Sequence, residues 1–315
     1  MIDLQKIRRA AGNIEGMIHR TPVMTSGRLD KLAGNEVFLK SEHLQKTGSF
    51  KIRGAANKVG LAAKEGVTHV VTASSGNHGQ AVACVAGMLS IRATIVVPED
   101  VSPAKASAIR AYGGQIVKCG LTSAERIPEA VRIAGDDGGV FIPPYDDPEI
   151  MAGQGTAGLE ILEQVPGCGA IFVPVGGGGL IAGILSAVKQ TRPDVRVIGV
   201  EPDTANDTQL SLEAGRRIAI GATGTIADGL RTAIPGELTF PIVREALDDL
   251  ITVTDMEIRK AMTILFEGAK QVVEPSGATA LAGLLSGKTG IRGMRVSVVL
   301  SGGNVTPADY GRLLL

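Results

Sequence analysis

The stretch Lys46-Thr47-Gly48-Ser49-Phe50-Lys51-Ile52-Arg53-Gly54-Ala55 decides how the rest of the chain is read. Thr47 and Gly48 form a turn and Ser49 stands where a helix N-cap is expected, so a helix is predicted from 49 to about 65. Lys51 falls in the first turn of that helix, where the backbone dipole is positive and a cation is poorly placed. The dipole is expected to lower the pKa of the amine and favour the neutral form that a Schiff base needs. The same residues also read as a solvated lysine in a capped helix. The surrounding sequence decides between the two.

Upstream, 36–40 (EVFLK) is a short strand leading into the stretch, and 3–17 carries Leu4, Ile7, Ala11, Ile14 and Met17 at helical spacing behind Asp3. Downstream, strands are predicted at 70–72, 93–97, 115–118 and 140–142, and helices at 77–89, 103–112 and 123–134. Strands alternating with helices in this way make a small parallel sheet with right-handed crossovers. Pro143-Pro144-Tyr145-Asp146-Asp147-Pro148 breaks the pattern and returns the chain to a larger unit. There, strands at 170–175, 195–200, 250–253 and 295–300 and helices from 180, 255 and 276 continue an α/β order. IFVPV and VSVVL are almost wholly apolar, as strands covered on both faces must be.

Composition narrows the class. The formal net charge is +0, from 32 Lys+Arg against 32 Asp+Glu, which gives no reason to expect nucleic acid or an anionic membrane as partner. The first residues lack the apolar core of a signal peptide, and no charge-free run is long enough to span a bilayer. Cys84, Cys119 and Cys168 share no metal spacing and cannot all pair, so they read as reduced thiols in a cytoplasmic protein. The 42 glycines lie at the ends of periodic apolar segments, which points to tight strand-to-helix turns and to backbone that approaches a ligand.

Three such turns carry chemistry. Val175-Gly176-Gly177-Gly178-Gly179-Leu180 puts four glycines between a buried strand and a helix, a backbone cradle for a phosphate or a flexible turn. Thr72-Ala73-Ser74-Ser75-Gly76-Asn77-His78-Gly79-Gln80 gathers hydroxyls, an amide and an imidazole able to hold a carboxylate, although Ser75 alone reads as a cap and His78 as a structural histidine. Leu300-Ser301-Gly302-Gly303-Asn304 is the third, and the ends of strands are where open α/β sheets bind ligands. Glu201 and Asp207, six positions apart in a loop, are either a solvated acidic loop or oxygen ligands for Mg²⁺ or Ca²⁺.

Taken together, KTGSFKIRGA, SSGNHGQ, VGGGGLIAG and SGGN resemble, in order and spacing, the pyridoxal-phosphate (PLP) enzymes of fold type II. The likeness is to the serine/threonine dehydratase family, in its serine racemase and 3-hydroxyaspartate dehydratase branch. It implies an α/β protein of two open, mainly parallel sheets flanked by helices (tryptophan synthase β-like). Residues 1–68 and 147–315 would form a large PLP-binding domain and 69–146 a small mobile one. It further implies that Lys51 forms the internal aldimine, Phe50 covers the ring and Asn77 bonds the 3′ oxygen. Gly176, Gly177, Gly178 and Gly179 with the N–H of Leu180 form the phosphate cup, and Ser301 faces the pyridine nitrogen. A serine there does not keep that nitrogen protonated, which favours loss of a β-substituent over transamination. Ser74, Ser75, Asn77 and His78 would hold the substrate α-carboxylate, and Arg126 a further acidic group.

The implied activity is an ammonia-lyase that converts an L-β-hydroxy amino acid to a 2-oxo acid and ammonia through an aminoacrylate. Serine, threonine and 3-substituted serines such as hydroxyaspartate or phenylserine are the expected substrates. The alternative is a serine racemase with Lys51 and Ser75 as opposed bases, since Ser75 stands where many plain threonine dehydratases carry alanine. Glu201, Asp207 and the Ala205 carbonyl match the divalent-cation (Mg²⁺ or Mn²⁺) site of the same branch. A homodimer is the family's habit. The chain ends soon after SGGN, so a C-terminal regulatory domain with isoleucine feedback is not expected, and ATP activation stays open.

Overall fold

The computed structural model describes residues 1–314. In chain order its strands are β1 (Val23–Thr25), β2 (Glu36–Lys40), β3 (His69–Ala73), β4 (Arg92–Val97), β5 (Gln115–Lys118), β6 (Val140–Phe141), β7 (Ala170–Pro174), β8 (Arg196–Pro202), β9 (Asp249–Val253) and β10 (Arg295–Val299). They form a six-stranded sheet in the order β1-β2-β10-β7-β8-β9 and a four-stranded sheet in the order β5-β4-β3-β6. Every pairing is parallel except β1 with β2. This is the α/β architecture of two mainly parallel sheets that the motifs imply. β7 is buried along its whole length, which explains its unbroken apolar sequence.

The strand order builds the site. β10 lies between β2 and β7, with Val296 opposite both Val37 and Ala170. All three run parallel, so the lysine stretch beyond β2, the SGGN turn after β10 and the glycine turn after β7 emerge side by side at one edge. The serine-rich turn arrives from the other sheet, at the end of β3.

Two expectations need correction. The lysine helix spans Lys51–Lys64, two positions later than predicted, and Ser49 does not cap it. Ser49 instead pairs with Gly302 in an isolated antiparallel bridge, and its buried hydroxyl has no partner. Pairing with the SGGN turn overrides the local capping preference. The glycines also do more than make turns. The helix Pro148–Gln164, which the sequence pattern missed, packs by backbone contact: a Cβ on Gly153 would lie 2.5 Å from the Arg53 carbonyl oxygen, and one on Gly183 would lie 2.4 Å from that of Met151.

A buried charge network anchors the lysine helix. All five N–H donors of the fully buried Arg53 are answered: two by Glu42 at 2.8 Å, two by Glu160 at 2.7 and 2.8 Å, and one by Thr156 at 3.0 Å. Burial pushes the Glu42 carboxyl up, but the Arg53 charge outweighs it and holds the group below its ordinary value. Removing one partner of such a pair leaves the other charge buried and alone. Arg53→Met should therefore lower the unfolding free energy by roughly 3–5 kcal/mol in urea titration. Arg28→Ala, in the half-exposed Arg28–Glu267 pair, should barely move the midpoint. Equal shifts would contradict the anchoring role.

Candidate active site

The turns enclose a cavity of about 630 Å³. Phe50, Lys51, Ser74, Ser75, Asn77, His78, Arg126, Gly176, Gly177, Gly178, Gly179, Leu180 and Ser301 all line it. The six-stranded sheet supplies the lysine, glycine and Ser301 turns, and the four-stranded unit supplies Ser74 through His78 and Arg126.

Lys51 Nζ donates to the Pro144 carbonyl at 2.7 Å, lies 5.2 Å from the Phe50 ring centroid and has no carboxylate partner among the described residues. Its pKa is lowered to about 8, and burial is the cause. The direction matches the sequence reading, and desolvation of the amine is a cause that reading did not include. The stretch that carries it is stitched to the SGGN turn by three bonds. Phe50 N–H donates to the Ser301 carbonyl at 3.0 Å, Gly303 N–H to Gly48 at 2.9 Å, and Asn304 Nδ2 to Thr47 at 2.8 Å.

The glycine turn has the features of an anion cradle. Gly178 precedes the helix Gly179–Thr191 at φ +88°, the left-handed region that favours glycine, and no side chain caps that helix. Its first N–H groups are left for a ligand.

On the opposite wall, Ser74 Oγ accepts from the Gly76 N–H at 3.3 Å, and the Ser75 hydroxyl has no protein partner among the described residues. His78 Nε2 lies 3.1 Å from the Ile142 carbonyl, so it carries the proton. Burial, reinforced by the charge of Lys51, lowers the His78 pKa to about 3. The imidazole is neutral with its one N–H already used, so what His78 can offer a carboxylate is its backbone N–H near the start of the helix Asn77–Met88. Arg126 turns two donors back on its own loop, to the Leu121 carbonyl at 2.9 Å and Ser123 Oγ at 3.2 Å, while its buried Nε has no partner.

Sequence reasoning missed Glu274. Its Oε1 accepts from Asn77 Nδ2 at 2.8 Å, and Asn77 Oδ1 accepts from Asn304 at 2.7 Å. Burial, and then the nearby Asp228, raise the Glu274 pKa to about 8. A neutral carboxyl at neutral pH therefore orients the Asn77 amide. The only sequence signal was a carboxylate placed just before the proline that opens the helix Pro275–Ser286.

Glu201, Ala205 and Asp207 lie outside the cavity lining, and the two carboxylates do not share a loop as the sequence suggested: Glu201 is in β8, Asp207 opens the helix Asp207–Ala214, and Ala205 lies between them. Both carboxyls are fully buried, and burial pushes both well above the ordinary range. Glu201 accepts from the N–H groups of Thr208 and Gln209 at 3.1 and 2.9 Å, and Asp207 from the Thr232 hydroxyl at 3.2 Å. Neither has a cationic side-chain partner among the described residues, which suits a hard cation. No cluster of three or more His, Cys, Asp or Glu side chains placed to hold a metal occurs among the described residues, so carbonyls and water would complete any shell.

The family described as "Pyridoxal-phosphate dependent enzyme" matches residues 14–302. An L-threonine ammonia-lyase of Thermotoga maritima is 42% identical over 100% of this chain and 78% of its own length. An L-threo-3-hydroxyaspartate ammonia-lyase of Saccharomyces cerevisiae is 41% identical over 97% of this chain and 94% of its own. The solved structure of maize serine racemase superposes with a TM-score of 0.95 at 40% identity, covering 98% of this chain and 96% of that one. A lysine amine poised in a cavity beside an uncapped glycine cradle is what that kinship requires, and the chain belongs to the family of pyridoxal-phosphate dependent enzymes.

Proposed function

We propose that the protein is an ammonia-lyase for an L-β-hydroxy amino acid. The observation that carries this reading is the Lys51 amine: half-buried in the cavity wall, without an acidic partner among the described residues and at a pKa of about 8. Phe50, Lys51, Asn77, Gly176, Gly177, Gly178, Gly179, Leu180 and Ser301 would hold pyridoxal 5′-phosphate. That cofactor, when bound, supplies the electron sink that makes the α-proton of an amino acid removable. Lys51 Nζ in its neutral form takes the α-proton as general base. Ser74, Ser75 and the N–H groups of Asn77 and His78 bind the α-carboxylate. Ser301, which lines the cavity, would offer the cofactor a neutral hydroxyl and no carboxylate, which would direct the chemistry toward loss of the β-hydroxyl. The net change releases ammonia and leaves a 2-oxo acid, with the water lost across Cα–Cβ returned when the C–N bond is hydrolysed.

Arg126 lines the cavity and would receive a second carboxylate, which favours a hydroxyaspartate-like substrate within this class. The second reading, a racemase, draws on Ser75: its free hydroxyl lines the same cavity as Lys51 and could serve as the opposed base. Glu201, Asp207 and the Ala205 carbonyl would hold Mg²⁺ or Mn²⁺ outside the reacting centre. Homodimerisation and a cytoplasmic setting, where three unpaired thiols stay reduced, complete the proposal.

Lys51→Ala should abolish 2-oxo acid formation from every L-β-hydroxy amino acid in a panel; retained turnover would refute the reading. Ser75→Ala should abolish any racemisation, measured as D-enantiomer, while leaving some elimination. Amine-directed labelling of the cofactor-free chain should modify Lys51 half-maximally near pH 8, because the neutral fraction grows as pH rises through its pKa of about 8. Labelling that begins only near pH 10 would remove the basis for a poised base. A chelator should lower the melting temperature, and Mg²⁺ or Mn²⁺ at a hundredfold excess over its Kd should restore about 2.7 kcal/mol of stability. Asp207→Ala should no longer respond to the ion; an unchanged response would place the cation elsewhere.

A further inference from the structure

We propose that Thr239 and Asp146 are positioning residues that set the direction of the Gly178 N–H in the phosphate cup. The inference rests on reading the glycine turn as a phosphate site. Thr239 is fully buried and does not line the cavity, whereas Gly177 and Gly178 do. The Thr239 hydroxyl donates to the Gly177 carbonyl at 2.8 Å. In a planar trans peptide the carbonyl and the following N–H point opposite ways. Pinning the Gly177 carbonyl outward, onto Thr239, therefore turns the Gly178 N–H toward the cavity.

The pin matters because glycines flank the peptide on both sides. A Gly-Gly unit crosses between backbone regions at little steric cost. A flipped peptide would present a carbonyl oxygen to an anion where a donor is needed. The packing is close on both sides of this peptide: a Cβ on Gly178 would lie 2.7 Å from Thr239 Oγ1, and one on Gly177 would lie 2.5 Å from the Tyr145 ring.

Asp146 holds the hydroxyl in position. Thr239 opens the helix Thr239–Ala246, and the Asp146 carboxylate accepts from the N–H groups of Glu237, Leu238 and Thr239 at 2.8, 2.9 and 3.2 Å. One carboxylate thus fixes the start of the helix, the helix fixes the hydroxyl, and the hydroxyl fixes the peptide. Tyr145, its neighbour in sequence, lies against the glycine turn as well, so residues 145–146 brace the cup from two sides.

The test uses the full-length chain and compares dissociation constants for pyridoxal 5′-phosphate and for pyridoxal, which lacks the phosphate. Thr239→Val should weaken the phosphorylated ligand about tenfold, roughly the effect of one hydrogen bond, and leave pyridoxal nearly unchanged. Thr239→Ser, which keeps the hydroxyl, should restore the preference. Asp146→Ala changes a half-buried carboxylate and carries the same expectation as Thr239→Val, so it decides the matter if the valine variant fails to fold. Unchanged binding of the phosphorylated ligand by these variants, or equal loss for both ligands, would overturn the positioning role. Wild-type protein that binds the two ligands alike would overturn the phosphate reading of the cup, and this inference with it.

Discussion

A guanidinium sealed from solvent is tolerable only when every donor is answered, and Arg53 sets that condition two residues beyond Lys51. Its five bonds reach Glu42 after β2 and Glu160 and Thr156 on the helix Pro148–Gln164. A buried ion pair often adds little stability over well-packed apolar groups. What this one contributes is location. It fixes the helix that carries the lysine against two other elements, while the Gly48 to Phe50 turn is tied to Ser301 and Gly303 on its other side. Lys51 therefore has a fixed seat in a poorly solvated pocket, and the poor solvation lowers its pKa.

Strand order does the rest. Because β10 lies between β2 and β7 and all three are parallel, three turns of different chemistry open at the same edge without long loops. The cavity they enclose offers many N–H and hydroxyl groups and few fixed charges. Two carboxyls line the cavity: Asp228 is paired with Lys105 at 2.7 Å, and Glu274, whose pKa burial raises to about 8, orients Asn77. Glu201 and Asp207 stand outside the lining, and Asp207 reaches it through the Thr232 hydroxyl.

Much of this was legible in the sequence because strand-end turns use small, distinctive residues. The four glycines, the paired serines, and Ser301 and Asn304 of SGGN stand out as strand-end turn residues in the sequence, and the structure gathers them around one cavity. Other features depend on tertiary contact. The Pro148–Gln164 helix is buried along the run Ile150 to Gly158 and carries three glycines there, so it shows neither an apolar stripe nor helical propensity. Ser49 has the right chemistry for a cap, yet the partner that claims it lies far away in sequence at Gly302. Glu274 is ordinary until burial shifts its proton. The lowered pKa of Lys51 was foreseeable in direction, but desolvation cannot be read from neighbours in sequence.

The glycine contacts around Arg53 carry a consequence for how this protein can diverge. Where backbone meets backbone, as at Gly153 and Gly183, there is no side chain to exchange for a slightly larger or smaller one. Such positions admit no gradual series of substitutions, and the lysine side of the cavity is closed to stepwise remodelling. The wall supplied by the four-stranded unit is built differently: Thr122, Ser123 and Arg126 present ordinary side chains from one short loop and the start of a helix. That wall can therefore change residue by residue while the backbone contacts behind Lys51 stay as they are, so the two sides of the cavity are free to evolve at different rates.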